Sequence, residues 1–184
     1  MNLPNRLSML RMLMVPVFVA FALVDAQWAQ WVALLLFCLA SLTDMLDGQI
    51  ARRRNLVTNF GKFIDPIADK LLVMSAQVVL VGQGRLASWL CIIMLAREFA
   101  VSGFRLVAAN SGNVIAAGWL GKIKTVLQMA SIILLLLLTP VSGEGLLGQT
   151  GITIANIVTI LAAFMTVWSG ADYIIRNFDC IRDM

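Results

Sequence analysis

Four aspartates lie close together in a chain of 184 residues that has only 10 acidic residues in all, namely Asp44, Asp47, Asp65 and Asp69. The first two are three residues apart and the last two are four apart, and both spacings put residues on one face of a helix. If a short connection brings the two pairs together, their carboxylates repel one another and are costly to desolvate. Two divalent cations would cancel this charge, and ligands that are all oxygen suit Mg²⁺ or Mn²⁺. The pattern predicts a two-metal site of the kind that binds a diphosphate and stabilises phosphoryl transfer.

Structural roles are the alternative for the same aspartates. Asp65 precedes Pro66 and could cap the N-terminus of a helix. The first pair could form salt bridges with the arginines at positions 52–54. The spacing shared by all four carboxylates, with a glycine close to each pair, favours the metal site.

The composition indicates a polytopic membrane protein. Apolar residues make up 60% of the chain, charged residues only 13%, and the mean hydropathy is +0.90, whereas about a quarter of residues are charged in soluble proteins. The long apolar runs favour helices over the alternating strands of a barrel. The chain has no histidine, so histidine-dependent triads, metal sites and general bases are excluded. The three scattered cysteines are expected to be small apolar residues without disulfides.

We expect an all-helical membrane domain with six spans, each of about the length that a bilayer requires. Residues 1–11 are predicted to form an interfacial amphipathic helix, because their leucines share one helical face. The whole chain, 1–184, is expected to be one domain. The predicted limits are Met12–Val24, Trp28–Leu46, Ile67–Val81, Trp89–Ala109, Ile123–Thr139 and Ile152–Ile175.

The basic residues predict the orientation of these spans. Under the six-span prediction nearly all lysines and arginines near span ends fall on one side, and only Arg85 falls clearly on the other. The positive-inside rule then places both termini and the aspartates in the cytoplasm. Interfacial tryptophans would mark the outer rim, and we expect no nucleic-acid partner.

The aspartate pattern can be written as Asp44-x2-Asp47-Gly48-x2-Ala51-Arg52-x8-Gly61-x3-Asp65-x3-Asp69. It resembles the signature of the CDP-alcohol phosphotransferases, and every defined position is filled. Members of that family have six transmembrane helices, which matches the number of predicted spans. The resemblance implies that Asp44, Asp47 and Asp65 bind two divalent cations, Mg²⁺ or Mn²⁺. It also implies that Asp69 lies beside the same metals and is the general base that deprotonates the acceptor alcohol.

The resemblance further implies a site for the cytidine nucleotide and its diphosphate. The glycines would let the nucleotide approach the helices closely because they lack a side chain. The segment PNRLSMLR resembles the short N-terminal stretch that helps to close this site in the family. For Arg11 the alternative is an interfacial cation that touches lipid headgroups. The implied residues are Asn5, Arg11, Gly48, Ala51, Arg52 and Gly61.

A second polar set predicts which alcohol is the acceptor. Arg97, Glu98 and Arg105 fall inside the fourth span, where charges are expensive and usually face a cavity or each other. Arg97 and Glu98 are adjacent and are expected to point in different directions. Lys122 and Lys124 are expected in the next loop along the chain. The four cations, Arg97, Arg105, Lys122 and Lys124, are predicted to bind a phosphate on the acceptor. Contact of the lysines with anionic lipid is the alternative.

The segments REFAVSGFR and GKIKT resemble the family branch whose acceptor is glycerol 3-phosphate. This implies transfer of the phosphatidyl group from CDP-diacylglycerol to glycerol 3-phosphate, which gives phosphatidylglycerophosphate and CMP. The reaction would supply phosphatidylglycerol and cardiolipin in a bacterial inner membrane, and the family also implies a homodimer. The alternatives are the same chemistry with inositol phosphate or serine as acceptor and, from another class, a divalent-cation transporter.

Overall fold

The structure, a computed structural model, describes residues 3–54, 59–110, 118–139 and 147–177, with side chains for most of them. These ranges form six helices and contain no strand, so the all-helical prediction is confirmed for them. The helices are α1 (Leu3–Ala22), α2 (Gln27–Arg54), α3 (Asn59–Gly82), α4 (Ser88–Asn110), α5 (Trp119–Leu138) and α6 (Gly148–Arg176).

Most helices extend beyond the predicted spans at their charged ends. α1 is continuous over residues 3–22, so the N-terminal segment and the first span belong to one helix. α2 continues to Arg54 and α3 begins at Asn59, so nearly the whole aspartate pattern is helical. Hydropathy finds only the apolar part of a helix, whereas lysine, arginine and glutamine continue its hydrogen bonding readily.

The prediction that Lys122 and Lys124 lie in a loop was wrong. α5 begins at Trp119, so both Lys122 and Lys124 lie in its first two turns. Gly118, in an extended conformation, precedes the helix as its N-cap. The lysines interrupt the apolar run but have high helix propensity, and the helix therefore starts before them.

Two helices are long and apolar enough to cross a membrane by length and composition, Trp119–Leu138 and Gly148–Arg176. Shorter apolar stretches occur at Met9–Ala22, Gln27–Thr43 and Lys70–Gly82, within α1, α2 and α3. The described residues thus fit a membrane protein, while this criterion does not support all six predicted spans.

The helices pack into one bundle with a shared apolar core. α5 and α6 lie along each other, α1 packs on both α2 and α3, and α4 packs mainly on α6. Phe18 of α1 and Phe37 of α2 are fully buried, with ring centroids 5.9 Å apart. α6 buries small residues, including Ala155, Ala162 and Ala163, and small residues allow the close helix approach that is typical of packing in membranes.

The turn between α3 and α4 holds one end of the bundle together. Gln83 donates a 2.6 Å hydrogen bond to the carbonyl of Ala22, at the end of α1. Arg85 donates to the hydroxyl of Thr139 at 2.7 Å and to the carbonyl of Leu135, at the end of α5. The bond to Ala22 satisfies a carbonyl that a helix C-terminus leaves unpaired. The bonds from Arg85 add to the C-cap of α5, where the backbone N–H of Thr139 also donates to Leu135. Burial lowers the pKa of Arg85 to about 10, so the guanidinium is still charged at neutral pH.

These contacts fix which helix ends lie together. The C-termini of α1, α3 and α5 share one end of the bundle, since successive helices run in opposite directions. The C-terminal halves of α2, α4 and α6 therefore lie at the other end, with the N-terminal halves of α1, α3 and α5. We call this other end the signature end, because both aspartate pairs belong to its helices.

Candidate functional site

The aspartates lie on the two helices that α1 packs against. Asp44 and Asp47 are in the C-terminal half of α2, and Asp65 and Asp69 are in the N-terminal half of α3. Within a helix, their spacings place the members of each pair on the same face. Their side chains lie outside the described residues, and among the described side chains no group of acidic or cysteine residues could hold a metal. The metal site therefore stays a prediction.

Most of the implied nucleotide residues also have side chains outside the described set. Their backbones are helical and lie at the signature end: Asn5 in α1, Gly48, Ala51 and Arg52 in α2, and Gly61 in α3. Arg11 is the exception, since its side chain is described and is only 2% exposed. This burial within the bundle argues against the alternative that Arg11 contacts lipid headgroups.

At the signature end, positively charged side chains from three helices lie around one carboxylate, that of Glu98. Lys124 of α5 is buried and donates a hydrogen bond to Glu98, and the same oxygen, Oε2, lies 3.8 Å from Nη1 of Arg97. Lys70 of α3 interacts electrostatically with Glu98 and donates a 2.6 Å hydrogen bond to the hydroxyl of Ser102. We call these five residues the Glu98 cluster.

The prediction that the adjacent residues Arg97 and Glu98 point apart was wrong. Their Nη1 and Oε2 atoms are within ion-pair distance. Both side chains are long, so their ends can converge even where their Cα–Cβ bonds diverge along a helix. The result is that the charge pair in the fourth predicted span is satisfied inside the bundle, as charges within a membrane require.

α6 provides a narrow slot for the side chain of Arg97. A Cβ atom added to Gly170 would lie 2.8 Å from Cγ of Arg97, so only glycine fits there without a shift. Ser169 accepts a 3.1 Å hydrogen bond from Nη2 of Arg97, and Tyr173 is close enough for an electrostatic interaction. On the α5 side, a Cβ at Gly121 would still be 4.0 Å from Nη2. The Nε atom of Arg97 is buried without a hydrogen-bond partner among the described residues.

The Glu98 cluster carries an excess of positive charge. It contains three cations, Lys70, Arg97 and Lys124, and one carboxylate, so its formal charge is three minus one, or +2. Glu98 has 22% of its side-chain surface exposed, Arg97 13% and Lys124 3%. Charges that are shielded from water in this way attract anions more strongly than surface charges do. The cluster is therefore suited to a doubly charged phosphate.

The structure separates the four predicted acceptor cations into two kinds. Arg97 and Lys124 converge on Glu98, whereas Arg105 and Lys122 are exposed. Lys122 lies over the ring of Trp119, with Nζ 5.7 Å from the ring centroid. That contact with an exposed tryptophan is typical of an interfacial cation, and it fits the lipid-contact alternative for Lys122.

Five residues of this site were not predicted from the sequence as binding residues: Lys70, Glu98, Ser102, Ser169 and Gly170. A signal for two of them is present, because the Ser-Gly pair at 169–170 lies inside a predicted helix. A glycine inside a helix lowers helix stability, and where it occurs it often has a packing reason. Lys70 and Ser102 carry no such signal, since only the three-dimensional packing of α3 on α4 brings them together.

Exposed apolar side chains on the helices fit a membrane protein, and the Glu98 cluster places positive charge beside the helices that carry the aspartates. Comparison with known proteins identifies its family. Residues 1–168 match the family model for CDP-alcohol phosphatidyltransferase. The chain belongs to this family and is a phosphatidyltransferase, so the resemblance found in the aspartate pattern is confirmed.

The curated relatives cover nearly the full chain. The chain is 39% identical to the CDP-diacylglycerol--glycerol-3-phosphate 3-phosphatidyltransferase of Bacillus subtilis, over 98% of this chain and 97% of the relative. It is 41% identical to the Rickettsia typhi protein of the same name, over 94% of each. It is 40% identical to the probable phosphatidylglycerophosphate synthase of Mycobacterium tuberculosis strain H37Rv, over 100% of this chain and 83% of the relative.

Proposed function

We propose that the protein transfers the phosphatidyl group of CDP-diacylglycerol to a hydroxyl of glycerol 3-phosphate, with release of CMP. The observation that carries this proposal is the near full-length similarity to relatives named for that reaction, at 39% and 41% identity. The product is phosphatidylglycerophosphate, which makes the reaction a step in anionic phospholipid synthesis. The relatives are named as enzymes of this reaction, which gives no support to the alternative of a divalent-cation transporter.

The charge of the Glu98 cluster supports an acceptor that carries its own phosphate. A neutral or zwitterionic alcohol such as serine would bring no net negative charge to this excess of two positive charges. A phosphate dianion balances it and can bind Arg97 through charge-assisted hydrogen bonds. Inositol phosphate also carries this charge, so the choice between the two phosphorylated acceptors depends on the shape of the site.

The metal proposal follows from the donor set on α2 and α3. Asp44, Asp47 and Asp65 supply only carboxylate oxygens, the ligands that Mg²⁺ and Mn²⁺ prefer, and they lie on helices at one end of the bundle. When bound, two such cations would neutralise the diphosphate and the departing CMP. Arg52 would add a further positive charge beside the diphosphate, and the small residues of α2 and α3 would leave room for the nucleotide.

Asp69 would act as the general base. Lys70 follows it directly in α3, so the proposed base and the Glu98 cluster are adjacent in the chain. Binding of the acceptor phosphate at the cluster would hold a short alcohol near Asp69, which accepts the hydroxyl proton as the oxygen attacks the lipid-bearing phosphorus. A carboxylate is a weak base for an alcohol, so proton transfer has to accompany the attack and cannot precede it.

We further propose that all six helices cross the bilayer, with both termini and the signature end in the cytoplasm of a bacterium. Exposed apolar side chains on every helix support this, including Leu13, Leu35, Val78, Ile92, Val126 and Phe164. Polar side chains are buried instead, among them Gln77, Thr159 and Thr166. This distribution is the reverse of the usual soluble pattern and suits a lipid environment, where polar groups must find partners inside.

An acceptor panel tests the proposed reaction. Purified protein in lipid-containing micelles is given CDP-diacylglycerol and Mg²⁺, and CMP release is followed with glycerol 3-phosphate, inositol phosphate or serine. We expect release with glycerol 3-phosphate alone, abolished by EDTA and by Asp69→Asn. Asp172→Asn is the matched control, because Asp172 is also a helical aspartate at the signature end and pairs with Arg176 at 2.7 Å. Absence of CMP release with every acceptor would refute the proposed reaction. Release of CMP with another acceptor would refute the choice of glycerol 3-phosphate.

The homodimer implied by the family also remains a proposal. Crosslinking of the protein in native membranes, compared with the detergent-solubilised state, tests it. A monomer in both conditions would contradict it.

A further inference from the structure

One carboxylate in the Glu98 cluster serves three positive side chains that come from different helices. Oε2 of Glu98 accepts from Lys124 of α5 and lies 3.8 Å from Nη1 of Arg97 of α4. Lys70 of α3 is within electrostatic range. Without this carboxylate the three cations would repel one another, and the buried ammonium of Lys124 would lose the charged acceptor of this hydrogen bond.

The cluster also joins α3, which carries Asp65 and Asp69, to α4. Lys70 reaches Ser102 at 2.6 Å, and Ser102 lies four residues after Glu98, on the same face of α4. A short hydrogen bond from an ammonium group to a hydroxyl fixes the position of a side chain that is otherwise very flexible. The cations are therefore held by two residues of α4, Glu98 and Ser102.

We propose that Glu98 and Ser102 are positioning residues, which hold Lys70, Arg97 and Lys124 as one binding unit for the phosphate of the acceptor. This inference rests on the proposed function, since it concerns the same reaction. Lys70 becomes a third cation of the acceptor site, in addition to Arg97 and Lys124. The unit acts before the chemical step, because it sets where the acceptor is bound.

A simpler role for Glu98 gives an expectation of opposite sign. If Glu98 only neutralises the cations, its replacement by glutamine raises the charge of the cluster from +2 to +3 and strengthens the binding of an anion. If Glu98 positions the cations, the same replacement releases them and weakens the binding of glycerol 3-phosphate. The direction of the change in KM separates the two roles.

The experiment measures CMP release against glycerol 3-phosphate concentration at saturating CDP-diacylglycerol, and then the reverse. For Glu98→Gln we expect the KM for glycerol 3-phosphate to rise about tenfold or more, the loss expected for one charge-assisted hydrogen bond. The KM for CDP-diacylglycerol should change by less than about twofold, because the donor is bound elsewhere. Glu98→Asp should restore part of the affinity, since it keeps the charge. Asp172→Asn is the control for loss of a carboxylate at the same end.

A second variant keeps the test valid if Glu98→Gln does not fold. Ser102→Ala leaves the charge of the cluster unchanged and removes the hydroxyl that holds Lys70. We expect a rise of about threefold or more in the KM for glycerol 3-phosphate, from the loss of one hydrogen bond. Lys70→Met should raise it further, and adding Ser102→Ala to that variant should have no additional effect.

The results distinguish failure of this inference from failure of the proposed function. If the unaltered protein releases no CMP with glycerol 3-phosphate, the proposed function fails. If the unaltered protein is active and Glu98→Gln lowers or preserves the KM for glycerol 3-phosphate, only the positioning role is refuted. Equal losses for both substrates, with a lower melting temperature, would show a structural role and would likewise overturn the inference.

Discussion

Replacement of Gly170 by alanine is the most direct test of the slot that holds Arg97. The added Cβ would lie 2.8 Å from Cγ of Arg97 and 3.4 Å from its Nε. Ordinary contacts between carbon atoms begin near 3.4 Å, so Cγ must retreat by about 0.6 Å. The guanidinium is held by Ser169 at 3.1 Å, and a displacement of this size at the stem is enough to disturb that hydrogen bond.

Two opposing terms set the effect on stability. Alanine gains up to about 1 kcal/mol over glycine in a helix interior, and overpacking costs about 1–3 kcal/mol. We expect a net loss of about 0–2 kcal/mol from these two terms. The effect on acceptor binding should be larger, because a displaced cation loses contact with the phosphate. About tenfold in the KM for glycerol 3-phosphate corresponds to 1.4 kcal/mol.

The assay combines melting temperature in detergent with CMP release. Gly103→Ala is the matched control: Gly103 is also inside a helix, and nothing lies within 4 Å of an added Cβ. It should gain helix stability of up to about 1 kcal/mol without a change in KM. The effect of alanine at position 170 should also depend on its neighbour. In an Arg97→Ala background the clash disappears, so Gly170→Ala should become stabilising.

The reasoning would be refuted if Gly170→Ala behaved like Gly103→Ala. Increased stability together with an unchanged KM would mean that Arg97 does not occupy the slot. Destabilisation that persists in the Arg97→Ala background would mean that the alanine meets another neighbour.

Two further predictions compare cations of the Glu98 cluster with cations outside it. Lys124→Gln should raise the KM for glycerol 3-phosphate about tenfold, because it removes a charge-assisted hydrogen bond of the Glu98 cluster. Lys122→Gln should change this KM by less than about twofold, because exposed charges are screened by water and salt. Equal effects of the two substitutions would contradict the assignment of Lys124, and not Lys122, to the acceptor site. Arg85→Met should lower the free energy of unfolding by about 1–3 kcal/mol, because it removes two charge-assisted hydrogen bonds at the C-terminus of α5, without changing either KM. Gln27→Met, at an exposed glutamine near the same end, is the control in thermal unfolding. An unchanged melting temperature for Arg85→Met would be evidence against the structural role.

The order of the six helices in the described residues could be predicted because apolar runs are long and separated by turn residues, although the expected separate N-terminal helix is part of α1. The ends of the helices could not. α2 continues through the arginines at positions 52–54, and α5 starts before Lys122. A charged residue ends a hydrophobic pattern but not a helical hydrogen-bond pattern. Loops predicted from the sequence are therefore longer than the observed ones wherever a membrane helix extends into the polar region.

The family could be recognised from residues that are close in sequence, whereas contacts between distant residues could be predicted only in part. The aspartate pattern identified the family because its spacing is fixed within two neighbouring helices. The partners of Arg97 were missed, since Ser169 and Gly170 lie more than 70 positions later in the chain. The role of Glu98 as a shared partner is hidden in the sequence, because adjacency to Arg97 predicts that the two side chains diverge, whereas their ends converge.

Two partly buried arginines, Arg85 and Arg97, show how structural and binding roles can be told apart in this fold. In Arg85 all three guanidinium nitrogens donate hydrogen bonds, to Thr139, to Gln83 and to the carbonyl of Leu135. Its hydrogen-bonding capacity is largely used within the protein, and its position at the end away from the aspartates agrees with a purely structural role.

Arg97 differs in each respect. Its Nη2 binds Ser169, its Nη1 is only loosely paired with a carboxylate that Lys124 also uses, and its buried Nε has no partner among the described residues. An unpaired buried donor costs about 1–3 kcal/mol, a cost that is tolerated where a ligand supplies the missing acceptor. The prediction is that saturating glycerol 3-phosphate raises the melting temperature of the unaltered protein and of Arg85→Met by the same amount, and that this shift is lost in Arg97→Met. An equal shift in all three proteins would place the acceptor phosphate away from Arg97.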